Sequence, residues 1–392
     1  MVYSKEGCPI VFLINSLCEG GAERAMLTLS KNFVKEGYSV TILALTKNNF
    51  YEIPKGVEVV YLSKMDDNIS GLVKLFYIPY HAWRVKKYVK KHQVKTVQSY
   101  LFRANFVNIL SGVMGSTQAV QVVNRSVVSR FFKEGLSGKI NLFLIKCLYP
   151  KADMIVHISK QMKADFNRHF FRTINERVIY NPYDVENILN QANHKVEDFT
   201  FYSHKRYLVT VGRLISLKRF QDVLKSMKKL DSDVELILLG DGEERKRLEG
   251  LTKELFLEKR VHFLGQVQNP FKYIKQSNLF ISSSSVEGFP NVLLEAMLCK
   301  TVVVSTDCLS GPREILAPST DSGKQLSRGI EMAEFGLLYA VGDVSALAKS
   351  IHKLLANDAL CRTYQETAFN HAKLFSVENI AKEYREVICY EW

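Results

Sequence analysis

The chain has 392 residues, 47% of them hydrophobic and 24% charged, with a net charge of +13 from 53 Lys and Arg against 40 Asp and Glu. Such a length calls for two cores of about 150–200 residues each rather than one. The composition excludes collagen-like and disordered chains.

In chain order, the first apolar run, Cys8 to Ile14, is too short for a secretion signal and enters a Gly-rich turn. It reads as a strand, Ile10–Ile14. Gly20-Gly21-Ala22-Glu23-Arg24 follows and opens a helix from Ala22 to about Val34. Glycines there let a backbone approach a ligand, and a helix N-terminus offers amides to an anion; a plain tight turn reads as well. Strands are expected at Ser39–Leu45 and Val57–Tyr61. Next come Leu72, Val73, Leu75, Phe76, Tyr77, Ile78 and Trp83, then a basic run of Arg84, Lys86, Lys87, Lys90, Lys91 and Lys95, with Val85, Tyr88 and Val89 at helical spacing inside it. Such a segment either lies on an anionic membrane surface or packs on a core with a solvated basic face. The charge distribution favours an anionic partner: residues 1–180 hold 26 basic and 12 acidic side chains, net +14, and the remainder, with 27 and 28, is net −1. No nucleic-acid-binding motif accompanies the patch.

Further strands are expected at Thr96–Ser99, Ala119–Val123, Met154–Ile158 and Arg177–Tyr180. The uncharged stretch Ala104–Asn124 is diluted by polar residues and reads as a buried helix followed by a strand, not a membrane span. Pro182 pushes Asn181 out of the helical region, so Asn181-Pro182 is the natural hinge. The pattern then restarts, with strands at Tyr207–Val211, Glu235–Leu239, Val261–Leu264, Leu279–Ser282 and Thr301–Ser305. Strand–helix alternation twice over implies an α/β chain of two doubly wound, Rossmann-like domains. If the two faced each other across a cleft, an enzyme joining two substrates would follow. Seven scattered cysteines (Cys8, Cys18, Cys147, Cys299, Cys308, Cys361, Cys389) without a CxxC pair argue against a disulfide framework and a structural zinc site, and fit a reducing compartment.

Four motifs carry chemistry. Gly20-Gly21 is the first. In the second, Gly212-Arg213 ends a strand and Lys218 follows five residues later; two cations there suit a diphosphate, as they also suit a solvated turn. Leu238-Leu239-Gly240-Asp241-Gly242 is the third, a structural turn with helix-capping chemistry. The fourth is Ser282–Met297: a serine run ends a strand, Glu287-Gly288-Phe289-Pro290 forms a loop, and Asn291 starts a helix carrying Val292 and Glu295. Amides of that first turn favour a phosphate. Glu295 can accept from two ribose hydroxyls, and Glu287 is placed to hold a sugar.

Together these motifs resemble family 4 of the retaining glycosyltransferases, which have the GT-B fold, over nearly the whole chain. GGAER, YPKAD (Tyr149–Asp153), VGRL and VEGF…NVL…E are most similar to bacterial N-acetylgalactosaminyltransferases that extend polyprenyl-diphosphate-linked oligosaccharides. The resemblance implies an acceptor-binding, membrane-facing domain at 1–183, a nucleotide-sugar donor domain at 184–376, and a C-terminal helix, 377–392, packing back on the first. It implies a UDP-sugar donor, with Gly212, Arg213 and Lys218 on the diphosphate and Glu295 on the ribose. Glu287, Gly288, Phe289, Asn291 and Val292 would hold the hexose, with Gly20-Gly21 facing the diphosphate. It implies same-face displacement, neither metal nor cofactor, and a site on the inner face of the cytoplasmic membrane. The histidine that many members carry after the central strand is absent: the stretch reads Val122-Val123-Asn124-Arg125-Ser126. Asn124, Arg125, Arg103 and Asn105 are acceptor or sugar candidates, with core or rim positions reading as well, and Arg84, Lys86, Lys87, Lys90 and Lys91 are membrane or lipid-diphosphate candidates. Within the family, a UDP-glucose or UDP-N-acetylglucosamine transferase building capsule or lipopolysaccharide is the alternative; outside it, a basic nucleic-acid-binding protein.

Overall fold

A computed structural model describes residues 9–18, 20–65, 70–170 and 175–389, apart from the side chain of Leu72. Cys8 and residues 390–392 of the expected C-terminal helix lie outside the described residues. The chain divides into two compact units, Met1–Tyr183 with Phe375–Trp392, and Asp184–Leu374.

The first unit is built on β1 (Ile10–Ile14), β2 (Val40–Ala44), β3 (Val57–Tyr61), β4 (Thr96–Tyr100), β5 (Ala119–Asn124), β6 (Met154–His157) and β7 (Glu176–Val178). They form one parallel sheet in the order β3-β2-β1-β4-β5-β6-β7. The interior strands are buried at every residue, whereas edge strands β3 and β7 are part-exposed. Helices cover both faces of such a sheet, so its strands lack the apolar–polar alternation of a half-exposed sheet, although β4 and β5 also bury Gln98, Ser99 and Gln121.

The second unit repeats the pattern with β8 (Arg206–Val211), β9 (Val234–Leu239), β10 (Val261–Gly265), β11 (Leu279–Ser282), β12 (Val302–Thr306), β13 (Ile330–Ala333) and β14 (Gly336–Tyr339), ordered β10-β9-β8-β11-β12-β14-β13. All pairs are parallel except β13 with β14. That antiparallel hairpin is an addition to the sequence reading. Its turn, Glu334-Phe335, has none of the Asn-Gly or Asp-Gly chemistry that announces a hairpin.

In each sheet the strand order reverses once, between β1 and β4 and between β8 and β11. Ligands of doubly wound sheets bind outside the carboxyl ends of the strands at these points. Two helices remote from them are capped: Asp184 accepts from the Asn187 amide and Asp343 from the Ala346 amide at the starts of Val185–Ala192 and Val344–Leu355. No side-chain cap forms at Gly20 or Pro290, which precede Gly21–Lys35 and Asn291–Leu298.

The C-terminal helix Val377–Ile388 belongs to the first unit, burying Val377, Ile380, Ala381, Tyr384, Val387 and Ile388. Gln121 of β5 donates to the Val387 carbonyl at 2.6 Å, and Arg385 pairs with Glu36 at 3.1 Å. Cys389, just beyond, is disulfide-bonded, a pairing that the scattered cysteine spacing did not announce; Cys18, Cys147, Cys299, Cys308 and Cys361 are free.

His81 and His157 are both fully buried. Burial, with Arg103 and Arg84 nearby, lowers the pKa of His81 from 6.5 to about 4. Burial depresses His157 too, against the opposing effect of Glu176. A depressed folded-state pKa means that the unfolded chain takes up the proton first as the pH falls. The melting temperature is therefore expected to drop as pH falls from 6.5 towards 4, and His81→Phe to flatten that slope. Identical slopes in thermal melts would place the proton uptake elsewhere.

Candidate active site

The β8/β11 switch point gathers the second and fourth motifs. Gly212 and Arg213 follow β8, a 3-10 turn at Ser216–Lys218 brings the lysine back, and the serine run follows β11. Two loops must pass very close here. Gly240, at φ +138°, lies so near Gly212 that a Cβ on it would sit 2.0 Å from the Gly212 carbonyl oxygen. The loops are also bonded, the Leu214 amide donating to the Asp241 carbonyl and the Glu244 amide to the Leu214 carbonyl, both at 2.9 Å. Gly240→Ala would collide with immobile backbone and is expected to cost about 2–4 kcal/mol, measured by urea unfolding; a wild-type midpoint would mean the loops separate freely. The turn is structural as expected, but Asp241 caps no helix: it accepts from the Gly242 amide at 2.7 Å and pairs with Arg245 at 3.1 Å.

Lys218 and Glu287 meet. Lys218 Nζ lies 2.6 Å from Glu287 Oε1, which also accepts from the Ser284 hydroxyl at 2.6 Å. The Ser283 hydroxyl holds the Lys218 carbonyl at 2.7 Å, and the Ser285 amide the Leu217 carbonyl at 2.9 Å. Thus the serine run fixes the lysine turn and the glutamate together. Side-chain exposures of 23% for Lys218 and 14% for Glu287 keep the pair reachable yet poorly solvated. Arg213, by contrast, is exposed and pairs with no acid among the described residues.

The Glu287–Pro290 loop rests on a second loop. The Glu287 amide donates to the Leu309 carbonyl at 2.8 Å, the Ser310 amide to the Glu287 carbonyl at 3.0 Å, and the Ser310 hydroxyl to the Gly288 carbonyl. Gly311, at φ +97°, leaves room for Pro290. Arg313 locks that supporting loop. Its buried guanidinium reaches Asp307 at 2.6 Å and Glu331 at 2.8 Å. Burial opposes its charge, but hydrogen bonds to these two acids outweigh burial and raise its pKa. Sequence reasoning missed Ser284, Ser310 and Arg313; the only signal was the serine run. Asn291 starts its helix, and Phe289, at 6% exposure, and Glu295, at 2%, are buried beside it. Glu295 reinforces burial in pushing the Cys299 thiol up to about 12.

In the first unit the candidates separate. Gly21 and Arg125 come together: Arg125 Nη2 donates to the Gly21 carbonyl at 3.1 Å and Nη1 to Asn181 Oδ1 at 2.8 Å. Burial lowers the Arg125 pKa, with Tyr384, Tyr100 and Glu23 opposing. Arg103 lines a largely apolar cavity of about 760 Å³ at the β1/β4 switch point, with Asn15, Glu23, Leu101 and Phe106. Asn105 and Asn124 take the core reading of the two, their side chains bonding within the protein and not presented to a ligand. Both are 1% exposed. Asn105 donates to Tyr149 Oη at 2.9 Å, the Tyr149 hydroxyl to Asn124 Oδ1 at 3.2 Å, and Asn124 Nδ2 sits 3.4 Å from His157 Nδ1. They belong to the polar spine of the sheet, since buried amides require such partners.

The helix Ile78–His92 buries Ile78, His81, Ala82, Val85 and Val89. Its outer face carries Tyr80 and Trp83, each 41% exposed, with Lys87 Nζ 3.8 Å from the Trp83 ring centre and Arg84 donating to Tyr80 at 3.1 Å. Lys90 and Lys91 are exposed, and Lys86 is drawn to the Met114 carbonyl. Among the described residues no group of three metal-ligating side chains is assembled, and no helix is long and apolar enough to cross a membrane.

Residues 19–187 match Glycosyltransferase Family 4, and residues 192–371 match Glycosyl transferases group 1. The chain belongs to glycosyltransferase family 4. It is 30% identical, over 94% of its length and 96% of the relative's, to N-acetylgalactosamine-N,N'-diacetylbacillosaminyl-diphospho-undecaprenol 4-alpha-N-acetylgalactosaminyltransferase of Campylobacter jejuni. A second C. jejuni relative, GalNAc-alpha-(1->4)-GalNAc-alpha-(1->3)-diNAcBac-PP-undecaprenol alpha-1,4-N-acetyl-D-galactosaminyltransferase, is 25% identical over 97% of the chain and 98% of its own length. Among solved structures, Anabaena HepE in complex with UDP superposes with a TM-score of 0.75 at 20% identity, covering 97% of this chain and 99% of that one. The protein is thus a glycosyltransferase of GT-B fold, with two Rossmann-like parallel-sheet domains.

Proposed function

We propose that this glycosyltransferase moves N-acetylgalactosamine from a UDP-sugar to a polyprenyl-diphosphate-linked glycan, with retention at the anomeric carbon. The observation that carries this reading is the likeness to the C. jejuni N-acetylgalactosaminyltransferase over 94% of the chain. The superposable HepE structure is in complex with UDP, which supports a uridine-nucleotide donor; we assign it to the β8/β11 switch point, where doubly wound sheets bind ligands.

In this mechanism the acceptor hydroxyl oxygen bonds to C1 on the face from which UDP departs. The C1–phosphate oxygen bond breaks, and the hydroxyl proton passes to a departing β-phosphate oxygen. Negative charge grows on that phosphate, where Lys218, Arg213 and the start of helix Asn291–Leu298 stabilise it more in the transition state than in the ground state. A covalent route would need a free carboxylate nucleophile. Glu287 Oε1 is instead engaged by both Lys218 and Ser284, which supports a positioning role on the hexose. Because side-chain cations serve the diphosphate, turnover is expected to survive chelation by EDTA; loss that Mg²⁺ restores would overturn that part. The first unit is assigned the acceptor. Tyr80, Trp83, Arg84, Lys87, Lys90 and Lys91 are assigned to the inner face of the cytoplasmic membrane.

The test is a UDP-sugar panel incubated with a polyprenyl-diphosphate disaccharide acceptor and read by mass spectrometry. One added N-acetylhexosamine from UDP-N-acetylgalactosamine alone supports the proposal. Transfer from UDP-glucose or UDP-N-acetylglucosamine instead would overturn the sugar assignment.

A further inference from the structure

The helix Gly135–Leu148 is made mostly of apolar residues, yet it buries only Gly138 and Ile145. Leu136 is 74% exposed and Phe143 65%, and Phe132, just before the helix, is 59% exposed. Leu136, Ile140, Phe143 and Cys147 recur at i, i+4, i+7 and i+11, which places them in one stripe along the helix. Gly138 and Ile145 lie on the other side, so the stripe faces outward. Scattered exposed apolar residues need no explanation, but a contiguous exposed stripe does.

The charges around it have one sign. Over residues 130–151 the single acid is Glu134, and Arg130 takes it up at 2.8 Å. Lys133, Lys139, Lys146 and Lys151 are exposed and pair with no acid among the described residues. Lys139 and Lys146 are seven residues apart and flank the stripe along one side. An apolar stripe edged by lysines is the form of a helix lying in the plane of an anionic membrane interface, rings and methyls among the acyl chains and ammonium groups at the headgroups.

Position strengthens the case. Leu136, Ser137, Ile140 and Asn141 form one wall of the 760 Å³ cavity at the β1/β4 switch point, and Gly71, Lys74 and Leu75 form another. The helix carrying that second wall, Gly71–Phe76, ends in Phe76, 82% exposed, and holds Val73, 42% exposed. Two walls of one cavity therefore end in exposed apolar side chains. We infer that helix Gly135–Leu148, together with Phe132, is a second membrane-contact element of this unit, separate from helix Ile78–His92, and seats the cavity mouth on an anionic lipid surface. The inference rests on the proposed lipid-linked acceptor, which such a seat would meet where it is anchored.

The experiment is vesicle flotation, which needs neither donor nor acceptor, so its failure is separable from failure of the sugar transfer. Wild type should float with phosphatidylglycerol–phosphatidylcholine vesicles. A Phe132→Ser, Leu136→Ser, Phe143→Ser triple variant should bind them about tenfold or more weakly, with an unchanged melting temperature and unchanged hydrolysis of UDP-sugar in water. Lys139→Gln with Lys146→Gln should lose affinity for the anionic vesicles only. Wild-type flotation by the triple variant would overturn the inference. So would unchanged flotation alongside a wild-type dimer that the triple variant abolishes in sedimentation, since the stripe would then be covered by a second copy.

Discussion

Lys218→Ala is expected to lower kcat by about 10²–10³-fold, the scale found when one preorganised donor is removed from a developing negative charge. The side chain reaches its position because the 3-10 turn Ser216–Lys218 is tied to the serine run through Ser283 and Ser285. Its ammonium group touches Glu287 at 2.6 Å. Removal takes away a cation from the diphosphate and leaves Glu287 held by Ser284 alone. KM for the donor should rise less than kcat falls, because the lost interaction strengthens as the leaving group gains charge. Near wild-type turnover in steady-state assays would remove Lys218 from the site.

Glu287→Gln should lower kcat by about 10²-fold or more while leaving the fold intact, since glutamine keeps an oxygen for the Ser284 hydroxyl. The two substitutions should not add. Residues in contact share one interaction, so the double variant should be little worse than Lys218→Ala. Kinetics on the two single variants and the double variant check this. A glycosyl–Glu287 adduct, trapped and kinetically competent, would contradict the positioning role and restore the carboxylate as nucleophile.

Most of the fold was legible because buried parallel strands leave little choice of residue. Val302–Thr306 and Val234–Leu239 are buried throughout and read as apolar, β-branched runs, broken only by Glu235 and closed by Ser305 and Thr306. β13 and β14 were not legible, because a short edge hairpin with an ordinary turn lacks both signals. The donor-side motif was legible as chemistry but not as contact. Lys218 and Glu287 lie 69 residues apart, and only the bonding between loops that leave neighbouring strands makes them partners. Asn105, in the helix after β4, and Asn124, at the end of β5, left two readings open, because an amide near a strand's carboxyl end reads the same whether it meets a ligand or a buried tyrosine. Arg313 was invisible because its partners come from different elements, Asp307 from just past β12 and Glu331 from β13, the strand the sequence did not announce. In helix Gly135–Leu148 the periodicity identifies a face, but only packing shows that nothing else in the described unit covers it.

Crystals of the full chain soaked with UDP test the central claim most directly. Density for the diphosphate is expected within hydrogen-bond reach of Arg213 and Lys218, at the start of helix Asn291–Leu298, with the ribose towards Glu295. Diphosphate density anywhere else, or UDP that leaves the Lys218–Glu287 region untouched, would contradict it.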